Sequence, residues 1–343
     1  MAALALTPRE QLEQLRHLAL PTLTSEISPA LPSFHPLQEQ LGTEIDVLAS
    51  VGKRISGVAT GPDGTVWLGL FDGGVAYLPP GETHAREVPG FSGRERFVSA
   101  IMVHQGRIFA ASYGGVAEVS REGRKVALHL EGVAADGLTV ADGQLVVGTG
   151  RGAFVWIRDG FQPMPRAETE GAPLRITALS MKGADTWFGT PRGAYLASTK
   201  ASGTRWIPLV FGSPGAQTNV VTAVVAFAEG AVVGTDDGGL AWLSPRGEVQ
   251  AARFELARAN EINPGAGVAF GSCAVFGTQG AGLLLASSGA ERQVIRLGPS
   301  TQISAVGLIG DRVLAGTSEG ELFSLRIPSG LCSAPDGRMP DPS

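Results

Sequence analysis

The chain is patterned by short apolar runs, each stopped by Gly, Asp or Pro, rather than by long amphipathic stretches. Runs of this length bounded by turn residues read as β-strands joined by tight turns. One unit recurs. An apolar strand ends in Gly-Thr, the chain turns over two variable residues, and a new strand starts on Gly. Seven copies span 66–78, 108–119, 145–157, 186–197, 231–243, 274–286 and 313–325. Measured between Gly69, Ala111, Gly148, Gly189, Gly234, Gly277 and Gly316, the steps are 42, 37, 41, 45, 43 and 39 residues. A period near 40 holding about four strand-length segments is β-propeller spacing. The pattern therefore predicts an all-β, seven-bladed β-propeller of four-stranded blades over residues 43–327.

The first copy predicts an inner strand at Ile55–Ala59, a turn at Gly61-Pro62-Asp63-Gly64, a second strand to Leu70, a tight turn at Phe71-Asp72-Gly73, a third strand at Gly74–Leu78 and an outer strand near His84–Val88. Gly73 and Gly238 are expected at positive φ, which glycine adopts without a Cβ clash. Trp67, Phe109, Val146, Trp187, Val232, Val275 and Leu314 share one register and should pack between blades. The seventh copy lacks an outer strand in sequence, and residues 44–48 lack a hairpin partner. Pairing the two closes the ring with three C-terminal strands and one N-terminal strand, and removes an open edge. Before the ring, Thr7-Pro8-Arg9-Glu10 combines a cap, proline at the first helical position and a following acid. That signature predicts a short helix over about residues 8–20. This helix either packs on the propeller or docks in a partner's groove. It leads a Pro-containing linker, so that 1–42 forms an extension and 328–343 a flexible tail.

Composition agrees with turns and doubly packed strands: Gly is 48 of 343 residues, 43% of residues are hydrophobic and only 17% charged. A net charge of −5 without a Lys/Arg run argues against nucleic acid as the partner. No run of roughly 18 apolar residues suggests a membrane span. The N-terminus lacks the basic region of a signal peptide. The expectation is a cytoplasmic protein, with export the alternative if the start site is misassigned. Cys273 and Cys332 allow one bridge, which is no disulfide framework.

The strings Val66-Trp67-Leu68-Gly69 with Gly73-Gly74-Val75, and Val233-Gly234-Thr235-Asp236-Asp237-Gly238-Gly239-Leu240, resemble the two-component regulator propeller repeat. The resemblance covers about residues 43–327 and implies a bacterial sensor or scaffold domain, with oligosaccharides among the ligands of that family. No membrane span or kinase region accompanies it here.

Catalytic signatures are thin. No Gly-Lys-Ser/Thr follows the glycines, so a phosphate loop is excluded. The five histidines share no metal-ligand spacing, and no cofactor is implied. Gly316-Thr317-Ser318-Glu319-Gly320 matches Gly-x-Ser-x-Gly, but it leads from strand to strand, whereas a nucleophile elbow leads into a helix. Cys273 opens a strand and reads as a small buried residue. The informative positions are the second-to-third strand turns, which crowd one mouth of a propeller channel: Phe71, Asp72, Tyr113, Arg151, Arg192, Asp236, Asp237, Gln279, Ser318 and Glu319. Incoming loops add Arg54, Arg94, Arg96, Arg166, Arg175, Asn219, Asn260 and Asn263. Aromatics beside guanidinium forks suit a protein partner or a polar small molecule. The competing readings are solvated turn residues, a propeller enzyme (lyase or hydrolase) with a site assembled across blades, and a structural module using its outer edges.

Overall fold

The computed structural model describes residues 38–39, 44–141, 143–164, 175–183, 185–198, 204–207, 220–236, 239–246, 248–253, 261–288, 294–298, 300–328 and 330–332. Seven antiparallel sheets form the seven blades. In blade one the strands are Ile55–Thr60, Val66–Leu70, Gly74–Leu78 and Arg86–Glu87, running from the channel outwards. The seven inner strands are Ile55–Thr60, Val98–His104, Ala135–Ala141, Ala178–Lys182, Val221–Phe227, Ile262–Phe270 and Ile303–Ile309, and each touches the inner strands of both neighbours, the last meeting the first. The expected helix over 8–20 lies outside the described residues.

The ring closes as the strand count predicts. Ile45–Ser50 runs antiparallel to Glu321–Arg326, with Ile45 opposite Leu325 and Ser50 opposite Glu321. Arg312, on the next strand inward, donates to Asp46 Oδ2 at 2.5 Å and to Glu44 Oε1 at 3.3 Å, clasping the N-terminal strand. Two segments read as linker and tail are built into blade six instead. Gln38–Glu39 pairs in parallel with Ile295 and Arg296, adding a fifth strand to that blade's outer edge. Leu331 and Cys332 pack against the apolar cluster shared by blades six and seven, and Cys332 is disulfide-bonded to Cys273.

The core lies between the blades. Seven buried clusters each span one pair of neighbouring blades, and Trp67, Phe109, Val146, Trp187, Val232, Val275 and Leu314 fall one to each cluster. The signature glycine is explained by the same interface. A Cβ at Gly69 would lie 2.6 Å from Val98 Cγ1, at Gly148 2.5 Å from Ile176 Cγ2, at Gly189 2.7 Å from Val221 Cγ1, and at Gly316 2.5 Å from Ile55 Cγ2. Each glycine is a hole for the branched residue that opens the next blade's inner strand. Blade two has Ala111 where the others have Gly, and the residue it faces is Ala135 rather than Ile or Val. Hole and knob have changed size together.

A polar bond sits beside each knob. The residue after it carries a hydrogen-bonding side chain, at a bulge in the inner strand in six blades and just before the strand in blade four: Ser56, Ser99, Asp136, Thr177, Thr222, Asn263 and Ser304. Ser56 donates to Val98 O at 2.5 Å, Ser99 to Ala135 O at 2.7 Å, Thr177 to Val221 O at 2.7 Å, Asn263 to Ile303 O at 2.7 Å and Ser304 to Ile55 O at 2.6 Å. Each of these joins one blade to the next. Thr222 instead donates to Gly234 O in its own blade at 3.3 Å.

Two expected outcomes follow from closure and packing. Deleting residues 1–50 removes the closing strand and abolishes cooperative urea unfolding, whereas deleting 1–40 leaves that strand in place and costs far less. Equal stability of the two truncations would contradict closure. Ala135→Ile overpacks Ala111 and costs about 1–3 kcal/mol. Adding Ala111→Gly recovers about 1 kcal/mol or more of that loss as a coupling energy in a double-mutant cycle. Simple additivity would contradict the size match.

Candidate functional site

The mouth is assembled by two sets of hydrogen bonds. The threonine of the signature folds its own turn: Thr149 donates to Gly152 O at 2.8 Å and accepts from Arg151 N at 2.9 Å, and Thr190 does the same with Gly193 O and Arg192 N. The residue after it then ties the turn to the incoming loop of the same blade. Phe71 N donates to Arg54 O, Tyr113 N to Phe97 O, Gly150 N to Ala134 O, Asp236 N to Val220 O, Gln279 N to Glu261 O and Ser318 N to Gln302 O. These pairs line the rim. Blade four has Pro191 in the donor position and so lacks the bond, leaving Arg175 beside it.

Blade one has Leu70 in place of the threonine, and its turn is held differently. Asp72 and Gly74 take positive φ, 62° and 75°. Gly73, expected there, does not. It is small because a Cβ would lie 2.7 Å from Leu70 Cβ and 2.9 Å from Lys53 Cδ. Gly238 lies outside the described residues.

Phe71 and Tyr113 do come together, as expected from their places on neighbouring blades, but a third ring completes the group. Phe97 bridges to Phe71 across blades one and two. Phe71 meets Phe97 edge-on at 5.3 Å between centroids and Tyr113 edge-on at 6.0 Å, while Phe97 and Tyr113 stack at 6.1 Å. Such offset and edge-to-face contacts follow the ring quadrupoles. All three rings are half-buried. Arg54 lies over Phe71, its Cζ 5.7 Å from the ring centroid, a cation–π contact.

The charges around this platform come from the incoming loops rather than from the turns. Burial pulls the Arg54 pKa below the ordinary guanidinium value, opposed by Tyr113. Its Nε is buried and has no hydrogen-bond partner among the described residues. Burial pushes the Tyr113 hydroxyl up, Asp136 adds to the rise, and Arg175, Arg54 and Arg94 oppose it. Burial also raises Asp136, against the opposing Arg175, whose Nε lies 3.3 Å from Asp136 Oδ2. The tyrosine hydroxyl thus feels three guanidiniums and one carboxylate.

Asp136 occupies the place where the other six blades carry Ser, Thr or Asn. An ionised carboxylate cannot donate to the carbonyl of Ile176, the acceptor equivalent to those used elsewhere in the ring. It pairs with Arg175 instead, and its side chain keeps 14% exposure towards the mouth. Beside it the rim is bare: the blade-three pair is Ala134 and Gly150, and a Cβ on Gly150 would meet nothing within 4 Å.

The remaining sequence candidates scatter. Asp72 is paired with Arg96 at 3.4 Å, and Arg96 also donates to Asp72 O at 3.0 Å. Arg151 and Arg192, expected beside the aromatics, are exposed turn tips; the guanidinium over the platform is that of Arg54. Glu319 is exposed on the blade-seven turn, and Asp236 is half-buried on blade five. Asn263 does not face solvent, being buried and bonded to Ile303 O. Asp237, Arg166, Asn219 and Asn260 lie outside the described residues. Ser318 sits in a strand-to-strand turn, and Cys273 is buried as expected and bonded to Cys332. Among the described residues no group of three or more His, Cys, Asp or Glu could hold a metal, and no helix is long and apolar enough to cross a membrane. Phe97 and Asp136 escaped the sequence reading. Their signal is positional, since each flanks the apolar residue that opens an inner strand, as Arg54 and Ser56 flank Ile55.

A closed seven-bladed β-propeller with a charged aromatic cluster at one mouth is therefore the class of protein this chain defines. Comparison with known protein families finds no match, and none is found among curated protein sequences. Among solved structures the chain is similar to the WD40 β-propeller domain of Doa1, at 13% identity and a TM-score of 0.63 over 84% of this chain and 99% of that one. It is similar to BamB from Moraxella catarrhalis at 13% identity and 0.58, over 80% and 84%. The computationally designed Ika8 protein matches at 17% identity and 0.52, over 82% and 99%. At these identities the likeness is one of fold.

The break at blade three generates a measurable consequence. A carboxyl whose folded pKa is raised binds its proton more tightly in the folded state, so its contribution to stability is greatest at low pH and is lost as pH rises through that pKa. Asp136→Thr, which restores a hydroxyl donor, should raise stability at pH 7 by on the order of 1 kcal/mol. The gain should shrink as the pH is lowered through the carboxylate range. A variant less stable than the parent at pH 7, or a gain that grows on acidification, would contradict this reading of Asp136.

Proposed function

We propose that this protein is a non-enzymatic binding propeller of the sensor or scaffold type, which engages a protein partner or a polar ligand at the mouth formed by its second-to-third strand turns. The observation that carries the reading is the cluster of Phe71, Phe97 and Tyr113 with Arg54 over it, half-buried on a rim whose turns are otherwise fixed by the backbone. A rigid scaffold presenting aromatic and Arg side chains in loops has the composition of a binding hot spot. The likeness of the repeat to the two-component regulator propeller unit supports the same role and keeps oligosaccharides among the candidate ligands, since sugar faces stack on aromatic rings. The Cys273–Cys332 disulfide favours an exported, oxidising setting over the cytoplasmic one expected from the N-terminus.

A second reading has one observation in its favour. A raised carboxylate in a funnel is a candidate acid or base, and Asp136 is such a group. A propeller enzyme built on it needs a second catalytic group. Asp136 is instead committed to Arg175, which fits a positioning role better than proton transfer.

The test is a comparison of the two faces. Phe71→Ala, Tyr113→Ala and Arg192→Ala should each change stability by no more than about 1 kcal/mol. Combined, they should lose at least tenfold in affinity for the first partner or ligand isolated, measured by calorimetry. Lys182→Ala and Glu229→Ala, exposed at the opposite-face ends of the inner strands of blades four and five, should bind as the parent does. Loss of binding in the second set with retention in the first would place function at the other end of the channel.

A further inference from the structure

Four of the basic side chains around the mouth are held in ion pairs, and two of the others, Arg151 and Arg192, are exposed turn tips. Lys53 pairs with Glu87 at 2.6 Å, Arg96 with Asp72, Lys125 with Glu95, and Arg175 with Asp136. Arg54 and Arg94 have no carboxylate partner among the described residues, although both act on the Tyr113 hydroxyl. Arg54 is the more telling of the two. It is desolvated enough to lower its pKa, it is held over Phe71, and its Nε–H is buried without an acceptor. A guanidinium in that condition is costly unless an anion completes it, because an unmade hydrogen bond forfeits the group's hydration.

The placement explains why no carboxylate among the described residues fills the gap. Arg54 leaves the closing strand of blade seven for the inner strand of blade one, and its carbonyl is taken by Phe71 N. Arg94 lies in the short 3₁₀ turn Gly93–Arg96 that enters blade two. The acids on this side are taken: Glu87 by Lys53, Asp72 by Arg96, Glu95 by Lys125, and Asp136, two blades away from Arg54, by Arg175. The sector from blade one to blade two is left with two uncompensated positive charges beside three aromatic faces.

Resting on the mouth as the binding surface, we propose that Arg54, assisted by Arg94, is the carboxylate-binding residue of that surface. The partner is a protein segment that presents a carboxylate next to an aromatic or large apolar side chain. The carboxylate takes the fork of Arg54 in charge-assisted hydrogen bonds, which are the strong kind. The neighbouring side chain seats on Phe71, Phe97 and Tyr113. On the far side Asp136 already occupies the Arg175 guanidinium, so that cation is not free for a second anion and one acid rather than a run of acids is favoured.

The experiment uses the full chain and small probes that separate the two halves of the recognition. N-acetylphenylalanine carries ring and terminal carboxylate, N-acetylphenylalaninamide the ring alone, acetate the carboxylate alone, and N-acetylaspartylphenylalaninamide a side-chain carboxylate beside the ring. Titrations are followed by the Nε–Hε resonance of Arg54, assigned by its loss in Arg54→Lys. At least one ring-bearing carboxylate should shift that resonance and saturate in the millimolar range, and whichever of the two binds tighter tells a chain terminus from an acidic side chain. The amide and acetate should each bind at least tenfold more weakly. Arg54→Gln should lose at least tenfold for the carboxylate, with its urea midpoint serving as the check that it folds, and Arg54→Lys should retain part of the affinity. The proposal is overturned if the amide binds as well as the acid, if Arg54→Gln binds as the parent does, or if inorganic phosphate binds tighter than either carboxylate. Should that happen while the Phe71, Tyr113 and Arg192 set still loses the isolated partner, only the carboxylate subsite fails. If the opposite-face set loses the partner, the mouth itself is the wrong surface.

Discussion

Everything in this molecule depends on how one blade accepts the next. A signature glycine at the end of the second strand leaves a space that fits the first apolar residue of the following inner strand, and a polar side chain beside that residue bonds across the same seam. The seam is narrow. Cβ-to-methyl distances near 2.5 Å would be forced by any larger residue at Gly148 or Gly316, well inside van der Waals contact. Because the apolar clusters lie between blades rather than within them, no blade can bury its own faces, and the ring is stable only when it is complete. Closure through residues 45–50 is for that reason part of the core and not an embellishment of it.

This arithmetic also explains what the sequence could and could not disclose. The repeat, the blade number, the interblade aromatics and the closing strand all depend on spacing and on the pairing of short apolar runs, which are local properties. Trp67 and Trp187 could be placed between blades because their register repeats. The proposed binding surface rests on departures from the repeat, and those are legible only once the repeat's own chemistry is known. Asp136 looks like an ordinary turn acid until six counterparts are seen to donate across or along the seam. Phe97 is one more apolar residue in a loop until its carbonyl is found to hold Tyr113 N. Arg151 and Arg192 share the variable turn positions with Phe71 and Tyr113, but only the two aromatics fold back onto the rim while the two arginines are exposed. The residues one step before each inner strand, such as Arg54, face the rim.

The same reasoning separates stability from function around the ring. Threonines at 149, 190, 235, 278 and 317 and serine at 112 fold the turns, and their regularity marks them as structural. Where a blade abandons that regularity, a side chain is set free for other use. Leu70 replaces the hydroxyl in blade one, next to Phe71. Pro191 removes the donor in blade four, next to Arg175. Asp136 replaces the seam donor in blade three. The three irregularities sit in one arc of the ring, and the aromatic cluster lies within it.

The two described chain ends are both fastened to blade six, one by the parallel pairing of residues 38–39 at its outer edge and the other by the Cys273–Cys332 bond near its opposite-face turn. A force transmitted along segments beyond residues 38 and 332 would therefore be carried by the outer edge and second strand of that blade and by the strand exchange in blade seven. Blades two to four lie off that load path. A tether at either end could be pulled taut without deforming the arc that carries Tyr113, Asp136 and Arg175, so tension on the chain ends would leave the geometry of the mouth unchanged.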